Sequence, residues 1–395
     1  MPSTSSFRVT RVRLRHYRSI AACDVRLSEL TFLVGPNGSG KSNFVDSLRF
    51  VSQALGENLD NALRERGGHA EVRRRSTGHP THFGIRLDFQ GDGMSGEYGF
   101  QVAAVKGGDY RLSHEECIVR SVEFGGEDSR FVIRDGRLVD SSFKTPLPSP
   151  SADRLYLVLA SALPDFRPVF DGLSALNVFN LNPEAMRRLQ TPDAGDVLRR
   201  DGSNIASVLE RLRRVDASVK EEIEEYLRVI VPGVVSADRK GFGSWETVEF
   251  RQEVQGADSP WTFPATSMSD GTLRALGVLV ALFAPSDQVY SPIAIEEPES
   301  ALHPAASGAL MDALRSASES RQVIATSHSP DLLDDPAVRP DQIRAVSADG
   351  GVTRISDLDE VTEGALRDSL YTAGELLRAN QLTPRFDQPS LELFT

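Results

Sequence analysis

Several things are scarce in this sequence, and each shortage removes a class of protein. Only two cysteines, Cys23 and Cys117, occur among 395 residues. That is too few for a disulfide framework or a cysteine zinc site, and buried free thiols are the expected reading. No apolar run approaches the length needed to span a bilayer, and the opening MPSTSSFRVTRVRLRH lacks the apolar core of a signal peptide. A cytoplasmic chain without a membrane partner is expected. Internal repeats, low-complexity tracts and sustained heptads are missing, as is the guanine-reading Asn-Lys-x-Asp tetrapeptide. Positive charge is also short: 44 Lys and Arg against 56 Asp and Glu leave 44 − 56 = −12. A chain that coats nucleic acid non-specifically has the opposite balance. Nucleic-acid contact is left to local patches, Arg11, Arg13, Arg15 and Arg18 or Arg64, Arg66, Arg73, Arg74 and Arg75, for which a solvated basic face is the competing reading.

What is present is an ordinary globular composition, 40% hydrophobic and 25% charged, on a chain long enough for two or three compact units. Residues 8–15 alternate as an edge strand would. LTFLV (30–34) reads as a buried parallel strand, followed by an amphipathic helix from Lys41 to about Ala54. Four β-rich runs across 81–140 predict an antiparallel meander, and the turn-rich 144–154 marks a boundary. Helical segments are expected at DRLYLVLASAL, at GSNIASVLERLRRV with Ser203 as N-cap, and at DASVKEEIEEYLRVIV, which ends at Pro232-Gly233. Strand character returns at WETVEFRQEVQ, a helix begins near Ser269, and two buried strands, PIAIEE and RQVIATS, follow. These shifts divide the chain into an N-terminal lobe (1–150), a helical insertion (151–240), a C-terminal lobe (241–345) and a tail (346–395). The tail ends in Leu391, Leu393 and Phe394, which suit either a partner or the chain's own body.

Gly35-Pro36-Asn37-Gly38-Ser39-Gly40-Lys41-Ser42 matches G-x-x-x-x-G-K-[ST] at every fixed position. Glycines allow the tight turn that points backbone N–H groups at phosphate oxygens, and the helix that follows adds its positive dipole end. Lys41 is placed to reach β- and γ-phosphates, and Ser42 to offer a hydroxyl to Mg²⁺. A buried strand before the loop and an amphipathic helix after it supply the context the motif needs.

A second apolar strand ends in Glu296-Glu297-Pro298-Glu299. Charge at the C-terminal end of a buried strand is where a P-loop fold puts a metal partner and a water-activating base. Between the two sites, Ser267-Met268-Ser269-Asp270-Gly271-Thr272 opens an apolar helix, which is an anion site or simply an N-cap. His328 follows the strand Val323-Ile324-Ala325, where a lone histidine is more often a packing or capping residue.

Read in order, GPNGSGKS, MSDGT, IAIEEPESALHP and IATSHSP resemble the Walker A, signature, Walker B with D-loop, and switch-histidine motifs of ABC-type ATPase heads. The opening RVRLRHYRSI, with Arg18 and Ser19, resembles the start of RecF-like and OLD-like ATPases of the SMC-like superfamily. The resemblance implies an α/β P-loop NTPase fold, with the meander and helical insertion added to an ABC-ATPase head. It implies ATP and Mg²⁺ as cofactors. The phosphates would lie on Lys41 and the Gly38–Ser42 backbone, Mg²⁺ on Ser42 and Glu296, the general base at Glu297 and the γ-phosphate sensor at His328. Arg18 would join the nucleotide site. Ser269 and Gly271 would contact ATP held by a second copy, with Ala301 and Leu302 at the dimer seam. Glu296 stands where Asp is usual, reaching about one methylene further. For the Q-loop glutamine, Gln90 and Gln101 are candidates in the meander.

Extended SMC-like arms are disfavoured because heptads are missing, and a transporter subunit because of the meander and long insertion. OLD-like nucleases carry a further metal-binding domain, whereas only about 60 residues follow Asp334 here. The expectation is an ATP-hydrolysing, dimerising switch in prokaryotic defence against foreign DNA, controlling a separately encoded effector. RecF-like DNA repair or a low-turnover scaffold is the alternative.

Overall fold

The computed structural model describes all residues except 1–5, 77–79, 106, 108, 122–126, 146, 152, 286–290, 386–390 and 395. Thirteen strands of the described residues form one sheet of two characters. At one end the strands run parallel: Ile343–Asp349, Leu30–Val34, Val323–Ser327, Ile293–Glu296 and Asn177–Phe179, in that spatial order. At the other end an antiparallel series runs from Ile20–Arg26 through Arg8–Tyr17, His82–Gly91, Met94–Ala104, Tyr110–Ser121 and Ser129–Arg134 to Arg137–Ser141. The strand Val352–Ser356 joins the halves. It lies antiparallel to Ile343–Asp349 and parallel to Ile20–Arg26.

The short parallel strands are mostly apolar and mostly buried because both their faces are covered. Leu30, Phe32 and Val34 enter one core and Leu33 the other, which is the period-two alternation of a pleated strand. The helix Lys41–Gly56 packs Phe44, Val45, Leu48 and Val51 into the core that holds Leu33. The helices Asp270–Phe283 and Ser307–Ser320 fill the core that holds Leu30, Phe32 and Val34. A separate three-stranded antiparallel sheet (Val234–Phe242, Trp245–Gln252 and Trp261–Pro264) follows the helices Ile205–Val215 and Ala217–Ile230.

The meander expected from 81–140 is present, although the end of the run ECIVRSVEF lies outside the described residues. Three local expectations are corrected. The strand Arg8–Tyr17 is interior, paired on both sides, because its alternating Arg11 and Arg13 find carboxylates on the neighbouring strands instead of solvent. The helix after residue 203 is entered through Asn204, while the Ser203 amide bonds Asp201. The run DRLYLVLASAL yields only the single turn Leu157–Ala160.

The basic patches are largely neutralised. Arg11 pairs with Asp24, Arg13 with Asp88 and Glu97, Arg66 with Asp46, Arg64 with Asp60, and Arg75 with Glu71. Both cysteines are buried, and burial pushes the Cys23 thiol up to about 12. The tail packs on the chain's own body: Leu393 is buried, its carbonyl accepts Arg86 Nη1 at 2.7 Å, and Phe394 lies 4.2 Å from the His114 ring, centroid to centroid.

Glu115 ties the meander to the segment after the boundary. Its fully buried carboxylate accepts from the Tyr156 amide (2.6 Å), the Leu157 amide (2.9 Å) and the Tyr98 hydroxyl (3.0 Å). Desolvation nevertheless outweighs these bonds and pushes its carboxyl from 4.5 up to about 7. A raised folded-state value means that the native form holds the proton more tightly. Its contribution to stability is therefore full below about 4.5 and lost as pH rises through about 7. In chemical denaturation across that window, the difference between wild type and Glu115→Gln should change by on the order of 3 kcal/mol. A pH-independent difference removes this assignment.

Candidate active site

The loop between Leu30–Val34 and Lys41–Gly56 has the backbone its glycines predict. Gly38 and Gly40 adopt φ of 76° and 104°, in the left-handed region that disfavours side chains. A Cβ on Gly40 would lie 2.0 Å from Thr353 Oγ1. Pro36, Asn37, Gly38 and Ser42 are exposed, whereas Gly35, Ser39 and Lys41 are buried. The Lys41 ammonium folds back onto its own loop, donating to the carbonyls of Gly35 (2.7 Å) and Pro36 (3.1 Å). Burial lowers its pKa, while Glu297 and Glu299 oppose that shift, so the lysine sits within reach of their field.

The strand Ile293–Glu296 ends beside Val323–Ser327, which in turn pairs with Leu30–Val34. Two strand ends, Val34 and Glu296, therefore flank the strand that leads into His328. Glu297 has a left-handed backbone, φ 47°, and its amide donates to Thr326 through both the backbone carbonyl and Oγ1 (3.1 Å each). His328 Nδ1 lies 3.4 Å from Glu297 Oε1, and the Ser300 hydroxyl donates to Oε2 at 3.1 Å. Glu296 points elsewhere: its Oε1 meets Arg200 Nη2 at 3.1 Å. Glu299 is buried, holding the Ser327 hydroxyl at 2.7 Å and the His328 amide at 3.3 Å. The arrangement offers a backbone anion cradle, a lysine, an exposed hydroxyl at Ser42, and a carboxylate next to an imidazole. Oxygen donors of this kind suit Mg²⁺ brought in by a nucleotide.

Ser269 caps the helix Asp270–Phe283 by accepting from the Thr272 amide at 3.1 Å, and it is exposed. Gly271 has a structural reason of its own: a Cβ there would lie 2.4 Å from the Ala301 carbonyl oxygen, so the helix start touches the loop after the acidic strand. Arg18 is held at 3.0 Å from Asp46 and adopts φ 48°. Neither proposed Q-loop residue faces this site. Gln90 pairs with Arg8 and Ser95 in the meander, and Gln101 bonds Ser113, because both lie on long antiparallel strands remote from the parallel strand ends.

Four residues that sequence reasoning missed are central here: Thr353, Asn43, Arg274 and Arg200. Thr353 Oγ1 donates to the Ser39 carbonyl at 2.9 Å and contacts Ser19 Oγ at 2.7 Å, while Asn43 Nδ2 donates to the same Ser19 oxygen at 2.6 Å. Buried Arg274 donates to the carbonyls of Leu181 (2.6 Å), Glu296 (2.8 Å) and Glu297 (2.9 Å). No local pattern marks Thr353 or Arg200, whose partners are far away in sequence. An arginine within an otherwise apolar helix was the available signal for Arg274.

Thr353→Val keeps the shape while leaving the Ser39 carbonyl and Ser19 hydroxyl without that partner. The expected loss is about 1–2 kcal/mol in denaturant unfolding. ATP affinity should fall by roughly tenfold in calorimetry, since the loop loses its brace. Unchanged ATP affinity would show that the cradle stands without Thr353.

Comparison with known proteins bears on the fold and the family. Over 72 residues the chain is 33% identical to the DNA replication and repair protein RecF of two Vibrio cholerae serotype O1 strains, covering 16% of this chain and 20% of each RecF. The match thus spans only about a fifth of the length of those curated relatives. An SMC head crystallised with the C-terminal winged-helix domain of ScpA is 15% identical, with a TM-score of 0.51, covering 90% of this chain and 99% of that one. The Pyrococcus furiosus Smc head with an extended coiled coil is 13% identical, also with a TM-score of 0.51, covering 92% and 99%. These likenesses establish the SMC and ABC ATPase-head fold, without coiled-coil arms among the described residues. Residues 30–334, most of the chain, match one family along their whole length, and the protein belongs to it: "AAA domain, putative AbiEii toxin, Type IV TA system".

Proposed function

We propose that this chain binds and hydrolyses Mg²⁺-ATP, and that it acts as a nucleotide-gated switch by closing on a second copy of itself. The observation that carries the reading is the convergence of Lys41, Glu297 and His328 at the ends of three adjacent parallel strands. Lys41 and the amides of Gly38–Ser42 would hold the phosphates. Ser42 and Glu296 would hold the metal, which supplies charge neutralisation across the β- and γ-phosphates when bound. Glu297 is the assigned base for the attacking water. The left-handed backbone aims its carboxylate, and His328 is close enough to share a proton or to sense the γ-phosphate. Arg18 would flank the nucleotide from the turn that also carries Ser19.

Ser269 and Gly271 are assigned to the nucleotide of the partner copy, with Ala301 and Leu302 at the seam. Exposure of Ser269 beside the Ala301 loop supports this, since both belong to one surface. ATP then acts as a bridge between two copies, and hydrolysis releases it. The proposal extends to a role in prokaryotic defence against foreign DNA, with the switch controlling a separately encoded effector in the cytoplasm; a family described by a toxin–antitoxin system is compatible with such a regulatory role. Association with a second protein is supported by the SMC head that was crystallised with a ScpA domain. A RecF-like role on DNA is the second reading, and the RecF match over 72 residues favours it.

Glu297→Gln should leave ATP binding intact and slow phosphate release by roughly 10²–10⁴-fold. It should also trap an ATP-bound dimer visible by light scattering. Turnover at the wild-type rate would remove Glu297 from its role. Ser269→Arg should abolish ATP-driven association in the same measurement while the monomer still binds ATP; persistence of the dimer refutes the trans contact.

A further inference from the structure

The metal-side carboxylate already has a cation. Arg200 Nη2 lies 3.1 Å from Glu296 Oε1, with the Glu296 side chain only 12% exposed and that of Arg200 43%. Arg200 belongs to the helical insertion, and its backbone is stitched to the parallel core. Its carbonyl accepts from the Asn180 amide at 3.0 Å, and the Asp201 carbonyl accepts from the Asn182 amide at 3.1 Å. Asn180 and Asn182 directly follow Asn177–Phe179, the strand paired with Ile293–Glu296. The guanidinium also faces a like charge: the Arg49 pKa is lowered first by burial and next by Arg200, with Glu65 and Asp46 opposing. Arg200 is therefore drawn to one carboxylate and repelled by the cation on the helix that follows the phosphate loop.

A divalent ion held between Ser42 and Glu296 would share that carboxylate with Arg200. A carboxylate only 12% exposed holds two cations side by side at a cost, since their mutual repulsion is poorly screened there. We propose that Arg200 is a displaceable counter-ion, neutralising Glu296 while nucleotide is absent and giving way when the metal–nucleotide complex binds. The inference rests on the nucleotide-site reading above and adds a positioning residue to it.

The consequence reaches beyond the metal. Asn182, tied to Asp201, caps the helix Pro183–Arg187. From its end, Arg187 holds the Met268 carbonyl at 3.1 Å and Asp270 at 2.5 Å, at the start of the signature helix. Release of Arg200 loosens a segment that touches the surface assigned to the partner copy. That gives the insertion a physical way to register metal loading in its own chain.

Mn²⁺ titrated into the full chain in the presence of ADP, followed by the EPR signal of free Mn²⁺, tests this. Removing a competing ion pair of this exposure should make Arg200→Ala bind Mn²⁺ about two- to fivefold more tightly. Arg200→Lys, which keeps the charge, should stay near wild type. In a Glu296→Gln background, Arg200→Ala should have no effect. Thermal unfolding checks that the variants fold. An unchanged Mn²⁺ affinity in Arg200→Ala reduces the contact to a surface ion pair and overturns the proposal. Weaker binding overturns it too, by making Arg200 a phosphate ligand instead. Mg²⁺-ATP binding measured by calorimetry separates the two readings. Wild type that fails to bind Mg²⁺-ATP sinks the nucleotide site and this inference together, whereas normal Mg²⁺-ATP binding with unmoved Mn²⁺ affinity sinks only the role of Arg200.

Discussion

One buried guanidinium holds the working end of the molecule together. Arg274 reaches from the helix Asp270–Phe283 to the carbonyls of Glu296 and Glu297 and to Leu181 in the insertion. Three segments that are distant in sequence are thereby fixed to one planar fork. Hydrogen bonds to a charged donor contribute about 1.5–3 kcal/mol each. The left-handed backbone at Glu297 costs on the order of 1–3 kcal/mol, so the clamp is sufficient to hold it. The backbone reversal turns the chain after the acidic strand and leaves successive glutamates with different partners, Arg200 for Glu296 and His328 for Glu297.

The phosphate loop depends on a comparable long-range support. Thr353 comes from the strand that joins the two halves of the sheet, and its hydroxyl sits where a Cβ on Gly40 would be. Gly40 is thus required twice, for its positive φ and for the space beside it. Through Ser19 and Asn43 the same hydroxyl links the turn after Arg8–Tyr17 to the first turn of the helix Lys41–Gly56. The turn at Ser19, the joining strand and the phosphate loop consequently meet at one hydrogen-bonded junction.

Charge is managed locally throughout a chain of net −12. Arginines that look like basic patches in the linear sequence mostly find carboxylates on adjacent strands or helices. Asp46 alone takes Arg18 and Arg66 and accepts the Tyr17 hydroxyl at 2.7 Å. The acidic strand end follows the same rule, with Arg200, Arg274 and Lys41 arranged around its glutamates. Like charges at the site are kept apart by cations drawn from three different segments.

Legibility in the sequence followed the range of the physics involved. The phosphate loop, the buried strands and the start of the helix Asp270–Phe283 could be read directly, because glycine conformations, period-two burial and helix capping are set within a few residues. The meander was legible for the same reason, and the helix N-cap was missed by only one position. The interior place of Arg8–Tyr17, the docking of Leu393 and Phe394, the brace from Thr353 and the pairing of Glu296 with Arg200 all depend on partners tens to hundreds of residues away. An alternating strand looks the same at an edge or in the interior until its neighbours are known, and an arginine looks solvated until a carboxylate is brought beside it. The sequence by itself determined which groups are available for phosphate chemistry; only the tertiary structure decided which of them face one another, because that depends on strand order, and strand order is set by the packing of the whole sheet.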